Sequence, residues 1–151
     1  MNNYQARALE GASPVELTIA LYDGIVRFMN EAIDAVEQND ADRRRAAVKR
    51  AMDIVMHLQV TLDRKRGGKP AEALTEFYTA MFALMLQGSQ ANSRQKFEQV
   101  IANVRNVREA WKQALAETTS TGISGGVPAS SQFDGVLPQF SMAQREGSWT
   151  A

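Results

Sequence analysis

Residues 12–24, Ala-Ser-Pro-Val-Glu-Leu-Thr-Ile-Ala-Leu-Tyr-Asp-Gly, decide the fold, because they start a helix and place apolar residues around most of it. Ser13 can accept from backbone donors that a first helical turn leaves without partners, Pro14 stands where no donor is needed, and Glu16 completes a capping box. Downstream, Leu21, Tyr22, Ile25, Phe28, Met29, Ala32 and Val36 recur at helical spacing, while Val15, Ile19, Val26 and Ile33 add a second stripe. So wide an apolar face predicts a helix from about Pro14 to Gln38 with neighbours on several sides.

Outward from this helix the pattern repeats. Asn39-Asp40-Ala41-Asp42 is a polar break with Asp40 or Asp42 as the next cap. A second helix, about Arg43 to Arg66, carries Ala47, Val48, Ala51, Ile54, Val55, Leu58 and Leu62 on one face. Arg64, Lys65 and Arg66 suit its negative end, and Gly67-Gly68 stop it. The third helix, about Ala71 to Gly88, presents Leu74, Phe77, Tyr78, Met81, Leu84 and Met85; the fourth, about Ser93 to Glu117, presents Phe97, Val100, Ile101, Val104, Val107, Trp111 and Leu115. Four amphipathic helices joined by short loops predict an all-α, antiparallel four-helix bundle over residues 1–117, including an arm at 1–12 that carries Tyr4 and Leu9. Residues 118–151 turn to Gly, Ser and Thr, a composition expected to stay a disordered tail; Phe133, Val136, Leu137, Phe140, Met142 and Trp149 are scattered through it without a helical or strand period.

Seventeen basic residues balance 17 acidic ones, so overall charge predicts neither a nucleic-acid nor an anionic-membrane partner. Cysteine is absent, which removes thiol catalysis and thiolate metal sites and fits a reducing compartment. No hydrophobic signal core opens the chain and no apolar run approaches the roughly 20 residues of a membrane span, so a cytoplasmic protein without membrane insertion is expected. His57 is the one histidine and Ile54 stands three before it, so the Glu-x-x-His pairing of di-metal bundles fails. No metal, no cofactor and no catalytic residues are expected. Arg43-Arg44-Arg45 with Lys49 and Arg50 lacks interleaved aromatic or amide side chains, and Asp40, Asp42 and Asp53 nearby predict local ion pairs instead.

Surplus apolar surface is what remains. Met52, Met56 and Val60 lie four apart on a flank of the second helix, and Phe82 and Leu86 occupy a similar flank of the third. A four-helix bundle uses only about three positions in seven per helix, so these residues need a second surface to cover them. Either an additional packed arm or a dimer covers them, or they form a groove for a partner's amphipathic helix, to which methionine adapts well. In the groove reading they are accessible in the free chain, and a charge placed there would harm binding far more than folding.

In order along the chain, Tyr4-Gln5, Ala12-Ser13-Pro14-Val-Glu-Leu17, Leu21-Tyr22-Asp23-Gly24, Leu62-Asp63 before Gly67-Gly68, Leu74 with Phe77-Tyr78, Ala91-Asn92 and Arg108-Glu109-Ala110-Trp111 form one set of landmarks. Through them the chain resembles the flagellar secretion chaperone FliS family over about Asn3 to Trp111. The resemblance implies a non-enzymatic cytoplasmic chaperone that binds the C-terminal amphipathic segment of flagellin, prevents its premature polymerisation and delivers it to the flagellar type III export apparatus. It also implies that the arm, with Tyr4, lies near the client groove and contributes to contact with an export-gate component. Candidate client-binding residues are then Tyr4, Met52, Met56, Val60, Phe82 and Leu86. The alternative is a structural or regulatory bundle that self-associates through the same stripes without a flagellin client, and a homodimer in the client-free state fits either reading.

Overall fold

Ser13 starts the first helix as its spacing predicts: its hydroxyl accepts from the Glu16 backbone N–H at 3.1 Å, and the Glu16 carboxylate accepts from the Ser13 N–H at 3.2 Å. The computed structural model describes residues 11 and 13–121, with side chains except at 64–66 and 118–121. The expected arm, with Tyr4, and the tail beyond residue 121 lie outside the described residues. Within them the fold is all-α: α1 Pro14–Glu37, α2 Ala41–Thr61, α3 Arg64–Gln90 and α4 Arg94–Thr121. Helix α1 packs against α2 and α4, and α3 packs more lightly against the same two, so the helices follow one another around a four-membered ring. With short connections, neighbours run antiparallel.

Two of the three turns share one construction. After α1, Asn39 takes a left-handed φ of 55°, its N–H donates to Val36 O at 3.2 Å, and the Asp40 N–H donates to Ala35 O at 2.9 Å. After α3, Asn92 takes φ 52°, its N–H donates to Ser89 O at 3.3 Å, and the Ser93 N–H donates to Gly88 O at 2.8 Å. These are Schellman closures in which Asn substitutes for the more usual Gly. The residue that closes each one then caps the next helix, since Asp40 accepts from the Arg43 N–H and Ser93 from the Lys96 N–H. Such Asn-Asp and Asn-Ser pairs end one helix and begin another within three residues, which leaves consecutive helices no choice but to fold back.

The remaining turn departs from the sequence expectation. Helix α2 ends at Thr61, not Arg66; Leu62 is extended (φ −73°, ψ 123°), and α3 begins at Arg64. The Asp63 carbonyl accepts from the Gly67 N–H at 2.9 Å, so Asp63 stands where a helix cap stands and the basic trio opens α3 instead of closing α2. Gly68 marks a kink within α3, with φ 56° and ψ −137°, a conformation that only glycine adopts readily. Helix α3 also runs past its expected end at Gly88 to Gln90, and α4 continues to Thr121.

The core draws on all four helices. Val15, Tyr22, Ile25, Met29 and Ala32 of α1 are buried, while Ile19, Leu21, Val26, Phe28, Ile33 and Val36 are partly buried beside them, which is the wide apolar face the sequence predicts for this helix. A polar chain crosses the centre. The Trp111 indole N–H donates to the Tyr22 hydroxyl at 3.0 Å, and the Tyr22 and Tyr78 hydroxyls share a hydrogen bond of 2.8 Å, their rings edge to face at 6.3 Å. It links α1, α3 and α4 at one level and gives each buried hydroxyl a partner.

Glycine brings the helices together at two points. A Cβ on Gly24 would lie 3.1 Å from Ile54 Cδ1, so α1 and α2 approach closely there. A Cβ on Gly88 would lie 2.8 Å from the ring of Phe97, which is itself fully buried. Alanine at Gly88 must displace that ring, at about 1 to 3 kcal/mol, against a gain of up to about 1 kcal/mol in helix propensity. A net loss of roughly 1 to 2 kcal/mol is expected for Gly88→Ala in urea unfolding. A variant as stable as the parent would show that Phe97 has room to turn.

Candidate binding groove

Of the sequence candidates, Met52, Met56 and Leu86 come together. They line a groove of about 360 Å³ between α2 and the C-terminal half of α3, whose floor also includes Val48. Met56 is 51% exposed and Leu86 42% exposed, uncommon values for large apolar residues in a well-packed bundle. Phe82, one turn before Leu86, is half-buried against the core, and Val60, one turn beyond Met56, is 83% exposed; neither lines the groove itself. Met52 also differs from the expectation of a fully accessible flank, because it is half-buried and packs on the core. Its position nearer the α2–α3 seam explains this: Val48 and Met52 share a face four residues apart, and Val48 is buried.

The rim is largely basic. Arg44, Arg45 and Lys49 line it with one carboxylate, Asp53. Lys49 pairs with Asp53 at 3.1 Å and Arg45 with Asp42 at 2.6 Å, and both pairs are exposed. Arg43, on the other side of α2, pairs with Asp34 of α1 at 2.7 Å, and Asp40 is taken up as a cap. Arg43, Arg45 and Lys49 of the basic run thus form ion pairs, as its acidic neighbours suggest in part, while Arg50 lies over the Phe28 ring at 5.8 Å. Such exposed ion pairs are screened by solvent and add little to stability.

Two polar bridges tie the walls of the groove and were not legible as site residues. At one end the Arg44 guanidinium donates to Asn92 Oδ1 at 2.8 Å and to Ser89 Oγ at 3.4 Å. Toward the other, the Gln59 amide donates to Thr79 Oγ1 at 3.0 Å. Ser89 and Gln90, which close the groove, were also missed, because they fall beyond the predicted end of the third helix. The one available signal was the antiparallel register, which sets residues near 44 opposite residues near 89.

A second depression, about 350 Å³, lies on the opposite side of the ring between α1 and α4, lined by Asp23, Val26, Arg105, Asn106, Arg108 and Glu109. Here Arg108 grips Asp23 with two N–H donors, at 2.6 and 3.3 Å, and this hydrogen-bonded carboxylate holds the guanidinium in its charged form more firmly than usual. The lining is mostly charged, and Asp23, Arg108 and Glu109 pair with one another within the chain, so it reads as a structural clasp. His57 is exposed on α2, and among the described residues no group of three or more His, Cys, Asp or Glu side chains is placed to hold a metal ion.

The fold and groove together define an antiparallel α-helical bundle with a groove between two adjacent helices whose apolar floor no other described residue covers. The family model described as flagellar protein FliS matches residues 1–118, and the chain belongs to that family. Among similar proteins, the flagellar secretion chaperone FliS of Bacillus subtilis is 30% identical over 125 residues, covering 82% of this chain and 92% of that protein. The Salmonella typhimurium FliS chaperone is 35% identical over 107 residues, 70% of this chain and 79% of that one. For the Campylobacter jejuni FliS chaperone the figures are 32% over 112 residues, 74% and 88%. The family read from the order of landmarks in the sequence is therefore the family matched. Among the described residues no helix is long and apolar enough to cross a membrane.

Proposed function

We propose that this chain is a non-enzymatic, cytoplasmic export chaperone that seats the C-terminal amphipathic segment of flagellin in the α2–α3 groove, keeps it from polymerising and passes it to the flagellar type III export apparatus. The observation that carries the reading is that Met56, Leu86 and Val60, three of the four large apolar residues exposed among the described residues, gather beside half-buried Met52 and Phe82, while the fourth, Leu17, stands on α1. An apolar helix face laid on this strip would lose its water and become unavailable for assembly with other subunits. Methionines accommodate sequence variation in such a face because their side chains repack. Membership of a family whose relatives are named flagellar secretion chaperones supports the same reading. Tyr4 is the residue proposed to contact an export-gate component.

Co-purification with flagellin is the direct test. Full-length flagellin should be retained and flagellin lacking its C-terminal segment should not. Equal retention of both, or of neither with the chain recovered as a dimer closed through Met56 and Leu86, would favour a self-associating bundle without this client. Met56→Glu sharpens the test: it should leave unfolding within about 0.5 kcal/mol of the parent, since the side chain is half in water. Association with the flagellin segment should weaken at least tenfold, about 1.4 kcal/mol, because docking would bury an unpaired charge. Met52→Glu is expected to lower both, as its half-buried position demands. Unchanged calorimetric affinity in Met56→Glu would move the client off the groove.

A further inference from the structure

Val48, Met52 and Met56 line the α2 side of the groove at every fourth residue, with Leu86 of α3 opposite. A floor with that repeat offers a guest helix nearly the same contacts after a slip of one turn, about 6 Å, and methionine side chains repack to suit either position. Apolar contact therefore holds a guest without fixing where along the groove it sits. In coiled coils the same ambiguity is resolved by one polar or charged group set among apolar ones, which finds its partner in a single register only.

The groove contains such a group. Among the cations that line it, Arg45 is paired with Asp42 and Lys49 with Asp53, each on its own helix and in water. Arg44 differs: it is half-buried, and its guanidinium bonds only to neutral acceptors, to Asn92 Oδ1 at 2.8 Å through Nη1 and to Ser89 Oγ at 3.4 Å through Nε. Among the described residues no carboxylate pairs with it, since Asp40 caps α2 and Asp42 and Asp53 hold Arg45 and Lys49. Nη2 makes no bond to a described residue and the Ser89 bond is long, so the guanidinium has donors to spare for a carboxylate while it keeps Asn92. Asn92 is itself set by the left-handed turn between α3 and α4, which fixes the charge in place before any guest arrives.

We infer that Arg44 sets the register of the guest: it takes a side-chain carboxylate carried on the guest helix, and so selects clients that bring one at a set distance from the residues covering the methionines. This role rests on the groove being the client site. The distance follows from the rise of a helix. Arg44 stands eight residues before Met52 and twelve before Met56, or about 12 and 18 Å along α2. On a guest lying along the groove, the carboxylate then falls about 7 to 8 residues from the side chain over Met52 and about 11 to 12 from the one over Met56, whichever way the guest runs. A slip of one turn carries the carboxylate about 6 Å from the guanidinium, beyond hydrogen-bond reach, and leaves two partly desolvated charges without partners.

The test is calorimetric titration of the full chain with the flagellin C-terminal segment and with versions in which each acidic residue is replaced in turn by its amide. Against the parent, one such replacement should weaken binding by about tenfold or more, the scale of a close charge pair at an interface. Arg44→Gln should weaken the unaltered segment as much, and the same replacement should then have no further effect. Lys49→Gln, whose charge is already paired and in water, should change affinity by no more than about twofold. Circular dichroism checks that Arg44→Gln is folded, and Arg44→Lys, which keeps the charge but not the fork, should recover part of the loss. Intermolecular Overhauser contacts from the Met52 and Met56 methyls should place the coupled carboxylate at the stated separations. An Arg44→Gln protein weakened equally toward every version of the segment would overturn the role, because Arg44 would then only tie the walls together. So would a loss silenced by amidating the chain end alone, which identifies the terminal carboxylate as the partner, or a coupled residue at another separation. Binding that Met56→Glu leaves unchanged removes the client from the groove and this role with it; binding that Met56→Glu weakens but no carboxylate couples to removes this role alone.

Discussion

Trp111→Ala is expected to lower stability by about 3 to 5 kcal/mol, the largest loss foreseen for a single substitution in the bundle. The ring is 5% exposed and stands with Phe97, Val100, Val104 and Val107 on the inner face of α4. Truncation leaves a cavity at the level where α1, α3 and α4 meet, and well-packed neighbours collapse into such cavities only in part. The lost hydrogen bond is the smaller effect, because the Tyr22 hydroxyl keeps its bond to Tyr78. Trp111→Phe separates the two: it retains most of the volume, lacks the N–H, and should lose roughly 1 to 2 kcal/mol. Urea unfolding followed by circular dichroism measures both. A Trp111→Ala protein that unfolds like the parent but no longer binds flagellin would assign this ring to the client and not to the core.

Alkaline pH is the second strong lever. Burial, then the adjacent Tyr78 phenol and the hydrogen bond to it, raise the Tyr22 hydroxyl well above the ordinary tyrosine range, and the Trp111 N–H pulls weakly the other way. Burial raises Tyr78 as well, against the opposing effect of its bond to Tyr22. In both cases the folded state keeps a proton that the unfolded chain releases near pH 10. The sign follows: the protonated phenols leave stability level below pH 10, and stability falls as pH rises above it because the native state binds more protons. Each phenol that ionises only on unfolding removes about 1.4 kcal/mol per pH unit in that range, and two act together. Stability measured from pH 9 to 11.5 should therefore drop steeply in the parent and about half as steeply, beyond the common lysine contribution, in Tyr78→Phe. Parallel slopes would mean that the pair ionises inside the folded protein.

The sequence disclosed most of this fold because its signals are local. Ser13-Pro14-Glu16 names a helix start by hydrogen-bond chemistry alone, and the apolar periods of α1 and α4 name the faces that turn inward. Where two local signals compete, the reading failed. Arg64-Lys65-Arg66 before Gly67-Gly68 looks like a helix end, yet Asp63 just upstream is an equally good helix start, and the chain uses it; Gly68 then serves a kink within α3. Gly88 misled for a different reason. Glycine there answers the ring of Phe97 across the interface, a tertiary demand that no window of sequence contains. The groove was half legible: helical spacing put Met52, Met56 and Leu86 off the main faces, but how deeply Met52 sinks toward the core depends on the α2–α3 spacing. Arg44, Gln59 and Thr79 were invisible as wall ties, since their partners are 20 or more positions away.

Those ties give the channel a fixed length as well as a width. From the Arg44 bridge to the Gln59–Thr79 bridge is 15 residues of α2, or about 22 Å at 1.5 Å per residue. On the proposed function, a guest helix would have about four turns to lay down between these two bridges. One turn fewer leaves part of the floor wet; one turn more must either ride over a bridge or break it. On the proposed function, recognition on such a floor would be by caliper: it would grade its guests by how long their apolar face is more than by which apolar residues compose it.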